Sequence, residues 1–154
     1  LGKYQESGDT QVVQALPGAL GSGANNNNFS TPTYWQGNVY FVGQHDVVKQ
    51  FQISNGLLSS LPVAQGTYTF GYPGANMTVS ANGATDGILW CTEAGGVNVL
   101  HAFDASNVSH ELYNSSWAGT RDYFGVAIRF SVPTVMNGKV YVAGQTELAV
   151  FGLF

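Results

Sequence analysis

Charge is what this chain has least of. Lys, Arg, Asp and Glu make up 9% of its 154 residues, against about 25% in an average soluble domain, so solubility rests on Asn, Gln, Ser, Thr and exposed backbone. The five cations, Lys3, Lys49, Lys139, Arg121 and Arg129, are scattered, and the formal net charge is −4. No basic patch faces a phosphate backbone, which argues against nucleic acid as a partner. Cys91 is the only cysteine, which excludes an internal disulfide. Its place in the run Ile88-Leu89-Trp90-Cys91 predicts a buried, inert thiol. No apolar run approaches the roughly eighteen residues of a membrane span, and Leu1 opens no signal peptide. The start without Met reads as a processed product or a piece cut from something larger. Helix signals are nearly absent too, since no window sustains apolar spacing at i, i+3, i+4 and i+7 over three turns. There is no Gly-x-Ser-x-Gly, no phosphate-cradling loop and no His-Glu-x-x-His, so the chain carries no recognisable catalytic motif.

What the chain does have is a phrase written three times. TPTYWQGNVYFVGQ is followed after a short gap by KQFQISNG; TVSANGATDGILWCTE is followed by VLHAFDASN; and VPTVMNGKVYVAGQ is followed by LAVF. With 44% hydrophobic residues a packed core is available. A period near fifty residues, built of short apolar runs and turns, predicts stacked four-stranded sheet units of the β-propeller kind. Gln36-Gly37-Asn38 and Asn137-Gly138-Lys139 are hairpin signals, because a tight turn needs positive φ at its centre. The continuous apolar runs at Val39, Ile88 and Val140 predict sheets covered on both faces.

The strands read as Gln11–Gln14, Thr31–Trp35, Asn38–Gly43 and Val47–Ser54 in the first unit. The second has Leu61–Gln65, Asn76–Ala81, Gly87–Glu93 and Asn98–Asp104, and the third has His110–Asn114, Phe130–Met136, Lys139–Gly144 and Glu147–Gly152. Units of about 1–56, 57–106 and 107–154 follow, with outermost strands ending on Phe51, Phe103 and Phe151. Leu1–Tyr4 reads as the tail of a turn from a preceding strand. Three blades are too few to close a ring, which takes about four to eight. The end blades are therefore expected to expose apolar faces, to be covered by further blades of a longer chain or by a second copy that completes a six-bladed assembly.

The unit PTxxNGxVYVxGQ…xLxVF, with Phe-Asp-Ala-Ser-Asn at Phe103 to Asn107, resembles the pyrroloquinoline-quinone-type (quinoprotein-like) β-propeller repeat along the whole chain. Members of that superfamily include periplasmic dehydrogenases, outer-membrane assembly lipoproteins and secreted bacterial proteins. The resemblance implies an all-β, partial propeller of four-stranded antiparallel blades and an extracytoplasmic, periplasmic or secreted, location. The chain departs from the dehydrogenases in lacking a repeated blade Trp (Tyr113 and Trp117 come nearest) and an adjacent Cys-Cys pair. Both departures count against quinone binding.

Among candidate site residues, the loop Gly119–Gly125 stands out because it carries charge in a chain that has little. Arg121, Asp122 and Arg129 are the ligand candidates, placed to line the top of a propeller funnel; the competing reading is an Arg–Asp pair that fixes the loop. His45-Asp46 reads as a solvated loop pair, since no second ligand of metal spacing accompanies it. His101, within Val99–Phe103, reads as a satisfied half-buried histidine, and His110-Glu111 as a polar pair starting an inner strand that could face the channel. Asn25–Asn28 reads as a flexible surface loop, and Asn82–Gly87 as an expanded hairpin. Sequons at Asn28, Asn76, Asn107 and Asn114 add little in so Asn-rich a chain. The expected function is a non-catalytic secreted module presenting loops to a protein or glycan. Two alternatives stand beside it: three blades of a quinoprotein dehydrogenase, using pyrroloquinoline quinone with calcium, and a self-associating filament subunit.

Overall fold

The computed structural model describes residues 6, 8, 12–21, 27–93, 98–126 and 128–152. It is all-β, with three antiparallel sheets, none of them closed. Sheet 1 runs in the order β1 (Thr33–Trp35), β2 (Asn38–Val42), β3 (Val48–Ser54) and β4 (Leu57–Leu58), with β5 (Ala64–Gln65) also pairing β3. Sheet 2 is β6 (Ala75–Asn82), β7 (Thr85–Glu93), β8 (Val99–Asp104) and β9 (Glu111–Asn114). Sheet 3 is β10 (Thr134–Met136), β11 (Lys139–Ala143) and β12 (Leu148–Gly152). One short 3-10 turn, Ser115–Ala118, follows β9.

The hairpins form where the turn chemistry demands. Gln36 and Gly37 (φ 46° and 76°), Asn55 and Gly56 (52° and 80°) and Asn137 and Gly138 (52° and 70°) are consecutive left-handed pairs. That backbone matches the right-handed twist of flanking strands. The pair at Asn55 folds β4 back onto β3, Ile53 opposite Leu58.

Strand grouping differs from the expected one by a single strand. Ala64–Gln65 and Glu111–Asn114, expected to open the second and third units, pair backwards onto β3 and β8. The strands ending on Phe51 and Phe103 are therefore third in their sheets rather than outermost. Val12–Gln14 forms no strand, and Leu1–Tyr4 and Gln11 lie outside the described residues.

The sheets pack in a row. Tyr40, Val42 and Val48 of sheet 1 meet Met77, Leu89, Cys91 and Phe103 of sheet 2 in one buried cluster, with Phe70 of the β5–β6 connection inserted between them. The opposite face of sheet 2 offers Leu100, Trp90 and Tyr113 to Val140, Val142 and Phe151 of sheet 3, here with Phe124 between. Sheet 2 is thus apolar on both faces, as the continuous run around Ile88 foretold. The Tyr40 hydroxyl donates to Ala105 O, and Gln50 donates to Ser106 O at 3.1 Å while accepting from Val108 N at 3.1 Å. These bonds tie the Phe103–Asn107 motif to sheet 1. The far face of sheet 1 is covered by the chain from Gln14 to Leu20: Gln14 bonds both backbone groups of Leu58, and Lys49 Nζ donates to Ala19 O.

Gly87 shows how closely sheets 1 and 2 meet, because a Cβ there would lie 2.6 Å from the Trp35 ring. Gly87→Ala is expected to lower stability by about 1–3 kcal/mol through overpacking, measured by urea denaturation.

Candidate functional site

The three residues singled out by charge divide between two places. Arg121 donates to the Asp122 carboxylate from Nε at 2.7 Å and from a terminal nitrogen at 2.8 Å, and the Tyr113 hydroxyl donates to the same carboxylate at 2.5 Å. Hydrogen bonds from Arg121 and then Tyr113 hold the Asp122 carboxyl down to about 2. The pair fastens the loop that leaves the 3-10 turn to β9. That turn is capped by Asn114, whose Oδ1 accepts from Ser116 N at 2.9 Å. Arg129 instead stands over the Tyr72 ring, 5.2 Å from its centroid.

Around Arg129 the structure assembles a group that sequence reading did not find. Phe29, Tyr72 and Phe130 stand three or four residues before β1, β6 and β10, the first strands of the three sheets. All three are exposed. Phe29 meets Tyr72 edge-on at 5.4 Å and Phe130 at 6.4 Å. They converge because β6 is the neighbour of both β1 and β10, with Thr33 Oγ1 donating to Met77 O at 3.1 Å. The loops entering those strands therefore end at one rim. Phe130 holds left-handed backbone, φ 65°, a region a bulky residue rarely adopts. Asn28 closes a local turn beside it, accepting from Ser30 Oγ at 2.9 Å. The rings and the Arg129 guanidinium together present an exposed aromatic and cationic surface at that rim.

The second polar constellation is internal. His101 on β8 is fully buried, against Tyr68 and Phe70 at ring distances of 4.5 and 5.0 Å. Its Nδ1 lies 2.7 Å from Glu111 Oε1 and 3.1 Å from Asn114 Nδ2. Asn114 donates to the same oxygen at 3.1 Å. On the other side, Nε2 sits 3.9 Å from Glu93 Oε2, beyond hydrogen-bond reach, and has no bonded partner. Glu93 accepts from the Tyr68 hydroxyl at 2.5 Å and from Gly71 N at 3.2 Å. Burial alone would raise the Glu93 carboxyl, but His101, Tyr68 and Gly71 outweigh it and hold the group below its usual value. Burial and the Glu93 carboxylate together push the Tyr68 phenol up. This network locks the β5–β6 connection onto sheet 2 around the buried imidazole.

The remaining candidates are structural. The His45 side chain is exposed, Asp46 pairs with Lys49 at 2.7 Å, and the backbone of His45-Asp46 pairs with Phe70. Glu111 lies on the outer strand of sheet 2, not on an inner one facing a channel. Cys91 is buried, and burial pushes its thiol up. In the Asn82–Gly87 hairpin, Thr85 Oγ1 donates to Asp86 at 3.0 Å. Asn25 and Asn26 lie outside the described residues. Among the described residues, no three His, Cys, Asp or Glu side chains are grouped to hold a metal ion, and no helix is long and apolar enough to cross a membrane.

Compared with family models, curated proteins and solved structures, the chain matches none.

The lowered Glu93 carboxyl has a pH signature. Ionised Glu93 contributes its full stability above the usual value of 4.5, and that contribution fades as pH falls from there through the folded value. Thermal melts of the native chain are expected to lose more between about pH 5 and pH 3 than those of Glu93→Gln, whose profile is flatter over that window.

Proposed function

We propose that the chain is a non-catalytic binding module built of propeller-type blades, and that its aromatic rim takes a glycan. The observation that carries this reading is the meeting of Phe29, Tyr72 and Phe130 from equivalent loops of three successive sheets, with Arg129 over one ring. Placing the first strands β1, β6 and β10 side by side supports a radial arrangement, in which these loops surround the mouth of an axis. The apolar face of a sugar ring suits an aromatic surface, and its hydroxyls suit Arg129 and the amides of Asn27 and Asn28. A low-charge surface rich in Asn, Ser and Thr is consistent with a neutral polysaccharide, and an extracytoplasmic setting accords with such a ligand. The repeat's likeness to the quinoprotein superfamily supports the blade architecture and adds no chemistry to it.

Titration calorimetry against hits from a glycan array tests the proposal. Tyr72→Ala and Phe130→Ala are each expected to weaken binding about tenfold or more, equivalent to about 1.4 kcal/mol, with melting temperature little changed because both rings are exposed. Binding of a protein segment in place of any glycan would replace the ligand class. Unchanged affinity in both variants would remove the rim from the function.

A further inference from the structure

Sheet 3 is incomplete in two ways that sheets 1 and 2 are not. The register identifies equivalent positions: Val39, Leu89 and Val140 each oppose a third-strand phenylalanine, Phe51, Phe103 and Phe151 respectively. In that frame Tyr40–Gln50, Trp90–Ala102 and Tyr141–Val150 are equivalent cross-strand pairs, as are Val42–Val48, Thr92–Leu100 and Ala143–Leu148. On sheets 1 and 2 this face is covered by the next sheet, and Val48, Leu100 and Ala102 are buried. On sheet 3 the same face is open, with Leu148 66% and Val150 50% exposed. The edge is open as well. β3 is paired by β5 through Gln50–Ala64 and β8 by β9 through Ala102–Tyr113, whereas no described residue pairs the far edge of β12.

A segment placed in the sequence like a fourth strand lies before β1. Gly43 backs onto the carbonyl of Leu20 and Gly144 onto that of Phe124. Gln44 N donates to Asn27 O at 2.7 Å and Gln145 N to Val126 O at 3.0 Å. Leu20 and Asn27 therefore take on sheet 1 the seats that Phe124 and Val126 take on sheet 3. The residues before Leu20, Val12-Val13-Gln14, occupy the sequence place of β9 and of Val63-Ala64-Gln65, which they nearly repeat. They hold a fourth strand's place in the sequence, pair with no described strand, and Val13 is 83% exposed.

We propose that Val12–Gln14 of one copy pairs with the open edge of β12 in a second copy, seating that copy's bare sheet-3 face against sheet 1 with the Gln14–Leu20 segment between. The contact puts Val13 opposite Val150 and Gln14 opposite Ala149, by the register of Ala64 with Gln50 and Gln65 with Lys49. Made twice about a two-fold axis, it yields six sheets, within the roughly four to eight that close a ring, and pairs the bare edge of β12 in each copy. The Gln14 side chain, bonded to both backbone groups of Leu58, holds the exposed Val12 and Val13 beside sheet 1.

Mixing chains carrying Val13→Cys with chains carrying Val150→Cys under mild oxidation is expected to give a covalent dimer that neither variant forms alone. Sedimentation equilibrium of the unmodified chain is expected to give twice its 16.3 kDa mass. Val150→Asp, which alters an exposed position of the single copy, is expected to return that mass to one chain with an unchanged circular dichroism spectrum. A single-chain mass for the unmodified protein would overturn the proposal. So would failure of the mixed disulfide, or a dimer that survives Val150→Asp.

Discussion

Each sheet of this protein relies on its neighbour to cover a face that water would otherwise meet. Blade-sized sheets of three to five short strands bury little by themselves, and an isolated hairpin is marginal. The repeated pairing of a second-strand Val or Leu with a third-strand Phe supplies the apolar face, and the preceding sheet or segment supplies its cover. Burying each such side chain is worth about 1.5–3 kcal/mol. Stability therefore comes from the contacts between repeats, as in other stacked architectures.

The connections between sheets share in that covering. Phe70 and Phe124 wedge between consecutive sheets, and the same segments then run on to Tyr72 and Phe130 at the rim. Interior packing thus fixes where the exposed rings stand. The His101 network belongs to the first of these wedges: Tyr68 and Gly71 reach Glu93 from the connection, while Glu111 and Asn114 reach the imidazole from β9. A buried ionisable cluster of this kind is costly unless its members satisfy one another, and here only His101 Nε2 and, in sheet 1, Trp35 Nε1 are left without a bonded partner among the buried side chains described.

Local chemistry made the hairpins legible. Asn-Gly and Gln-Gly steps forced left-handed backbone, and the apolar runs after them became β2 and β11 within a residue of the expected bounds. Strand grouping was harder to read, since a two-residue strand such as Ala64–Gln65 carries no alternation to say which neighbour it joins. Its pairing is decided by the hydrogen bonds of β3, not by its own sequence. His101 was expected as a satisfied, half-buried histidine; it is fully buried with Nε2 unbonded, and its neighbours lie on three different elements that the sequence does not link. The rim was invisible because Phe29, Tyr72 and Phe130 sit in dissimilar loops and meet only once the first strands are side by side. Of the three residues marked by scarce charge, Arg121 and Asp122 bond each other and Tyr113, and Arg129 stands over Tyr72.

The double covering of sheet 2 and the single covering of sheet 3 grade the molecule along its length. Amide protons of β7 and β8, hemmed in by both buried clusters, exchange with solvent only when the whole fold opens. Those of β12 have one face and one edge against water, so this strand is the first to peel away from a single copy. Its transient release exposes Phe151 and uncovers Phe124 beneath, making the carboxyl-terminal hairpin the entry point for proteases.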